Sequence, residues 1–161
     1  MDESSCVGER AHQPVTRVSA MAQACTFCRI AIGELPAHVV LDEPEVFAFL
    51  DRSPLFVGHC LVVPRAHVPT LLDLPEPSIV PLFGAAQRIA RAIEPALSAE
   101  GSFVAMNNKI SQSVPHLHVH VVPRRKKDGL RGFFWPRAKY ESDDEMARVA
   151  EALRTALRSP A

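Results

Sequence analysis

The sequence lacks any net charge: 18 Lys+Arg stand against 18 Asp+Glu. That balance argues against a global electrostatic grip on nucleic acid or on a membrane surface, and leaves only local patches to consider. No apolar run approaches the roughly 18–20 residues that a transmembrane helix needs. The first twenty residues carry early acids and no apolar core, which speaks against a secretory signal peptide. Cysteine is scarce, at four residues (Cys6, Cys25, Cys28 and Cys60), and no disulfide framework is laid out. In the reducing cytoplasm expected for such a chain, these are thiols or metal ligands. What remains is 47% hydrophobic and 22% charged, the composition of an ordinary globular protein. A chain of 161 residues suits one domain with a tail, able to bury roughly 70% of its unfolded surface.

Residues 1–22 are polar and unpatterned around Pro14 and read as a flexible tail, with Met21 a second candidate start. The main domain is expected over 23–140, and a C-terminal helix and tail over 141–161. Thr26–Ile32 predicts a short helix closed by Gly33. His38–Leu41, Val46–Leu50 and His59–Val63 predict short strands, with a turn at Asp51-Arg52-Ser53-Pro54. Residues 75–99 carry the one long helical pattern, with Ile79, Leu82, Phe83, Ala86, Ile89, Ala90 and Ile93 on one face. Pro95 is expected to end or kink it, and Gly101 to close the region. Strands Phe103–Met106 and His116–Val122 follow, and Asp143–Leu157 reads as an amphipathic helix. The expected class is α+β: about five antiparallel strands packed on one long helix.

The informative stretch is His116-Leu117-His118-Val119-His120-Val121-Val122. Strand side chains alternate, so three imidazoles share one face at roughly 7 Å spacing, and Leu117, Val119 and Val121 share the other. The apolar face suits packing against the long helix. A solvated face would use Thr, Lys or Glu; imidazole adds titration near neutrality, nucleophilic nitrogen and metal ligation. Metal binding alone is the rival reading, since three His can hold Zn²⁺. The preceding loop, Asn107 to Pro115, is rich in amide and hydroxyl groups that suit phosphate oxygens, although the same residues are common turn formers. An imidazole nucleophile beside such a loop points to phosphoryl or nucleotidyl transfer.

Gln112-Ser113-Val114-Pro115 followed by His-φ-His-φ-His-φ-φ, with φ apolar, resembles the signature of the histidine-triad (HIT) family. Phe49-Leu50-Asp51, Ser53-Pro54, Gly58-His59, Leu61–Pro64 and His67 fit that family in order, over about residues 25–123. The transferase branch carries Gln in place of the last His, so His120 favours the hydrolase branches. The resemblance implies a HIT-like fold and a hydrolase cleaving at the α-phosphate of nucleoside phosphoramidates or dinucleoside polyphosphates. His118 would form a covalent nucleotidyl-imidazole that water then hydrolyses. His120 would donate to a phosphate oxygen or assist the leaving group, and His59 would orient a catalytic imidazole. Ser113 and Asn107, with Asn108 the alternative, would hold phosphate or leaving-group oxygens. Gln112 matches the family and is equally suited to bracing the loop. Asp51 would bind the ribose hydroxyls, and Phe27, Ile30 and Phe49 would wall the base of an adenine or guanine nucleotide. Plain core packing is the competing reading for each of these three.

Cys25-Thr26-Phe27-Cys28 is a C-x-x-C that by itself suits redox chemistry, half a zinc site, or neither. No βαβ pattern follows to support a thioredoxin-like role, and zinc needs two more ligands that are not local. Some bacterial HIT proteins pair such cysteines with two distant histidines, and the matching positions are His67 and His116. The resemblance therefore implies a structural zinc on Cys25, Cys28, His67 and His116, which would take His116 out of catalysis. Cys60 reads as a small buried apolar residue.

Residues 124–139 hold seven of the 18 cationic side chains against Asp128 alone, while 141–151 hold five acids. Such a basic run is ordinarily a solvated face, and beside the His strand it would also attract polyphosphate. The lone Trp135 lies here, and the resemblance implies a homodimer with this segment reaching toward the partner's site. No membrane or nucleic-acid partner is expected. The alternative function is a zinc-containing nucleotide-binding or scaffold protein with little turnover.

Overall fold

The structure is a computed structural model that describes residues 25–130 and 140–158. The expected tail over 1–22 and the segment around Trp135 lie outside the described residues. The chain divides into two compact units between Asp128 and Gly129. In the first, a short helix α1 (Thr26–Ala31) is followed by strands β1 (Val39–Asp42), β2 (Val46–Leu50) and β3 (Cys60–Pro64). Helix α2 (Glu76–Leu97) then precedes β4 (Gly101–Ala105) and β5 (Val119–Arg124). The second unit contains α3 (Asp143–Arg158), with three acids in its first turn where the helix dipole favours them. No described helix is long and apolar enough to cross a membrane.

All strand pairs are antiparallel, in the order β1-β2-β3-β5-β4, so the fold is α+β as expected. The last strand in sequence is thus inserted between β3 and β4. Alternation sorts its neighbours onto two faces. Val46, Ala48, Cys60, Val62, Val119 and Val121 pack on the α2 side with Leu82, Ala85, Ala86, Ile89 and Ile93. Phe47, Phe49, Leu61 and Val63 face the other way, against Cys25 and Phe27 of the α1 region. Cys60 is buried in the α2-side core, as its strand position suggested.

Several boundaries differ from the sequence expectation. Helix α2 passes Pro95 and ends at Leu97, where Ser98 adopts a left-handed conformation. Proline at this point removes one hydrogen bond to the preceding turn without forcing the last residues out of the helix. Gly101 opens β4 rather than closing the helix. Ile79 and Phe83, expected on the buried face, are 40% and 37% exposed. They form an i,i+4 pair on the flank of the Leu82–Ala86–Ile89–Ile93 stripe, because one residue rotates the helix by about 100°.

The largest difference concerns the His strand. Its ladder starts at Val119, not at His116. Pro115 cannot donate, His116 N–H turns back to Val114 O at 2.8 Å, and Leu117 N–H donates to Val68 O at 2.6 Å. His116 and His118 are therefore held ahead of the sheet, and only His120 sits within it, opposite Leu61 on one side and Ala105 on the other.

Candidate active site

His118 is almost fully buried and its Nδ1 lies 2.7 Å from the carbonyl oxygen of His116. A carbonyl can only accept, so Nδ1 carries a proton, and in the neutral ring the lone pair falls on Nε2. The edge-on Phe27 ring, 5.2 Å away between centroids, limits rotation of the imidazole. The Nδ1–H bond thus leaves Nε2 as the nitrogen of His118 that a substrate can approach.

His120 and His59 form a second, linked pair. The Leu55 N–H donates to His59 Nδ1 at 3.2 Å, which places the His59 proton on Nε2. That Nε2–H faces His120 Nδ1 at 2.9 Å, so His120 keeps its proton on Nε2. The His118 and His120 rings lie 4.9 Å apart between centroids. One backbone carbonyl and one backbone amide thus set complementary tautomers: a lone pair on His118 and a donor on His120. Burial lowers the pKa of His59, partly opposed by Asp51. Burial also lowers His120 to about 4, reinforced by the neighbouring His118 and His59.

Asp51 stands at the end of β2. Its Oδ1 accepts the Ser53 N–H at 2.8 Å, and its Oδ2 lies 3.5 Å from His59 Nδ1. The Asp51 N–H donates to His59 O at 2.9 Å, which ties the two segments together. A cleft of about 230 Å³ opens beside this turn, lined by Ile30, Pro36, Ala37, His38, Phe49, Leu50 and Arg52. Ile30 and Phe49, two of the three expected base walls, line it. Phe27 lies behind, 5.4 Å edge-to-face from Phe49.

The loop residues divide between braces and free groups. Gln112 accepts the Lys109 N–H through Oε1 and donates through Nε2 to Pro69 O at 2.6 Å, so both ends of its amide are occupied. Asn108 Oδ1 accepts the Leu71 N–H at 2.8 Å. Asn107 Nδ2 donates to Ser111 O at 3.2 Å, and its carbonyl oxygen has no partner among the described residues. Ser113 is exposed, and its hydroxyl has no hydrogen bond among the described residues.

On the far side of His118, four donors converge. Cys25 Sγ lies 3.4 Å from His116 Nδ1, and Cys28 Sγ lies 3.5 Å from the same nitrogen and 3.3 Å from His67 Nδ1. All four ligand atoms lie within 4.8 Å of one another. His116 Nε2–H donates to Pro64 O at 2.8 Å, which points the Nδ1 lone pair at the sulfurs. Tetrahedral zinc with Zn–S of about 2.3 Å and Zn–N of about 2.0 Å has S···N edges of about 3.5 Å. The residues fit such an ion in number, softness and spacing. Burial and the adjacent Cys25 push the Cys28 thiol up to about 12, and a cation bound beside it would favour its thiolate.

Sequence reasoning missed the backbone groups that set the tautomers, and also Arg65. Its guanidinium donates to Glu43 O at 2.7 Å and Ala31 O at 2.9 Å, contacts the Asp42 carboxylate, and lies over Phe47. It clamps α1, which carries Phe27 and Cys28, onto β1 and β2. Only the position of Arg65 just after Pro64 hinted at such a role.

The chain is similar to known proteins in both sequence and fold. The family model of the HIT domain matches residues 32–127. Protein hit of Bacillus subtilis is 36% identical over 125 residues, which are 76% of this chain and 84% of that protein. The adenosine 5'-monophosphoramidase of Saccharomyces cerevisiae is 34% identical over 134 residues, 80% of this chain and 82% of that protein. A Zn-bound histidine triad family protein from Mycobacterium smegmatis superposes with a TM-score of 0.65 at 32% identity, covering 81% of this chain and 99% of that one. The matched span carries the entire His118–His120–His59 arrangement, and the chain belongs to the HIT domain family.

Proposed function

We propose that this chain hydrolyses nucleoside phosphoramidates or dinucleoside polyphosphates at the α-phosphate through a nucleotidyl-His118 intermediate. The observation that carries the reading is the His118 Nδ1–H···O=C bond to His116 at 2.7 Å, which leaves Nε2 as a lone-pair nucleophile beside a donor on His120. Phosphate charge offsets the burial that depresses His120, so the His59–His120 pair takes up a proton with the substrate. His118 Nε2 forms a bond to phosphorus while the bond to the leaving group breaks and takes the electron pair. His120 hands its proton to that leaving group, and a proton moves from His59 Nε2 to His120 Nδ1. Water then attacks phosphorus, the P–Nε2 bond breaks, and the water proton restores the pair.

Asp51 binds the ribose hydroxyls, Phe49 and Ile30 wall a purine, and Ser113 with the Asn107 carbonyl side faces the leaving group. Zinc on Cys25, Cys28, His67 and His116 supplies a rigid cross-link and no reaction step. Free thiols held as zinc ligands suit a reducing cytoplasm. Edge strand β4 is the natural seam for a homodimer that continues the sheet. The test is hydrolysis of adenosine 5'-phosphoramidate with acid-quench trapping of a nucleotidyl-protein. Turnover and trapping that both vanish in His118→Ala support the reading. Wild-type turnover in that variant defeats it, and binding without turnover in the native chain favours a nucleotide-binding module.

A further inference from the structure

The cleft walled by Phe49 and Ile30 has a polar rim. Arg52 is the middle residue of the turn closed by the Ser53 N–H on Asp51 Oδ1, so its backbone is fixed beside the proposed ribose carboxylate. Its side chain lines the cleft and is exposed. Arg29, Arg65, Arg88, Arg124 and Arg154 each pair with a carboxylate. Arg52 has no such partner among the described residues, so its guanidinium is available to a ligand.

A guanidinium offers five N–H donors in a planar fork and no acceptor. Guanine presents two acceptors on one edge, O6 and N7, which such a fork engages in parallel. Adenine presents N7 beside an amino donor that opposes it. We infer that Arg52 makes the cleft a guanine-selective base site, with the fork of Arg52 on the O6/N7 edge of a base held between Phe49 and Ile30. The inference rests on the nucleotide-hydrolase reading and narrows its substrate to guanosine conjugates.

The experiment compares kcat/KM for guanosine and adenosine 5'-phosphoramidate with the full chain. The guanosine substrate is expected to lead by about tenfold, the lower range for a bidentate Arg–guanine contact at an exposed rim. Arg52→Leu and Arg52→Lys should both bring the ratio to about one, because lysine keeps the charge but loses the fork. An unchanged ratio in Arg52→Leu, a ratio that survives in Arg52→Lys, or a native preference for adenosine overturns the inference. If neither substrate is turned over, the hydrolase reading fails separately, and calorimetry with GMP and AMP decides the base site. Tighter GMP binding that is lost in Arg52→Leu upholds it, and equal binding overturns it.

Discussion

His59 Nε2 stands 2.9 Å from His120 Nδ1, while the opposite nitrogen of His59 is approached by the Leu55 N–H at 3.2 Å and by Asp51 Oδ2 at 3.5 Å. A neutral His59 accepts the Leu55 N–H at Nδ1; a protonated one donates from Nδ1 toward the Asp51 carboxylate. The same ring thus has a partner in either charge state and can pass a proton to or from His120. Replacing His59 by Phe keeps the ring and removes both nitrogens. The expected loss in kcat is about 10²-fold for a substrate with a basic leaving group. A substrate whose leaving group needs no protonation should lose far less. Steady-state rates across leaving groups of different basicity check this, and a uniform loss would assign His59 to packing alone.

Burial holds His59 below its ordinary pKa and His120 at about 4. In the unfolded chain both titrate near 6.5. The unfolded state therefore binds more protons between these values, and stability falls as pH falls. This contribution is fully present above about pH 6.5 and is lost progressively toward pH 4. Thermal melts of the native protein should show a decline in Tm over that window. His120→Gln should flatten part of the decline, and identical slopes in the two proteins would contradict the assignment.

The cysteine–histidine cluster and the proposed nucleophile share one residue: His116 offers Nδ1 to the cysteines and its carbonyl to His118. Cys28→Ser is expected to lower bound zinc from about one ion per chain to well below that, and to lower Tm. It should also slow His118, because a looser His116 holds the Nδ1–H less firmly. Metal analysis, melting and single-turnover rates are read together. Full zinc loss with an unchanged single-turnover rate would separate the two sites.

What sequence makes legible follows from how local its cause is. Alternation places β2 at Val46–Leu50 without error, and the His-φ-His-φ-His pattern puts Leu117, Val119 and Val121 in the α2-side core. The same alternation cannot show that the ladder starts at Val119, because Val68 and Val114 decide that from elsewhere in the chain. The tautomers are equally out of reach, since two backbone groups set them and backbone carries no residue signal. The cysteine–histidine cluster joins Cys25 to His116 across 91 residues, a proximity suggested only by resemblance. Arg52 and Arg65 look alike in sequence, yet Arg65 is clamped by a carboxylate and two carbonyls while Arg52 lines the cleft without a carboxylate partner among the described residues.

Gly58 shows how tightly the approach to His59 is built. It adopts φ +93°, a region that costs an L-residue about 1–2 kcal/mol. A Cβ there would lie 2.1 Å from Leu97 Cδ1 and 3.2 Å from Pro123 Cγ. The leucine end can swing aside, but only by opening the packing between α2 and the sheet, whereas the proline ring cannot rotate. Gly58→Ala is therefore expected to destabilise the fold by about 2–3 kcal/mol, the backbone strain plus the displaced leucine. Denaturant unfolding measures that loss. Leu97→Ala makes room for the methyl group without relieving the backbone. In the Leu97→Ala background the added cost of Gly58→Ala should fall to the strain alone, about 1–2 kcal/mol. A cost that stays at its full value would place the whole penalty in the backbone, and one that vanishes would place it in the contact with Leu97.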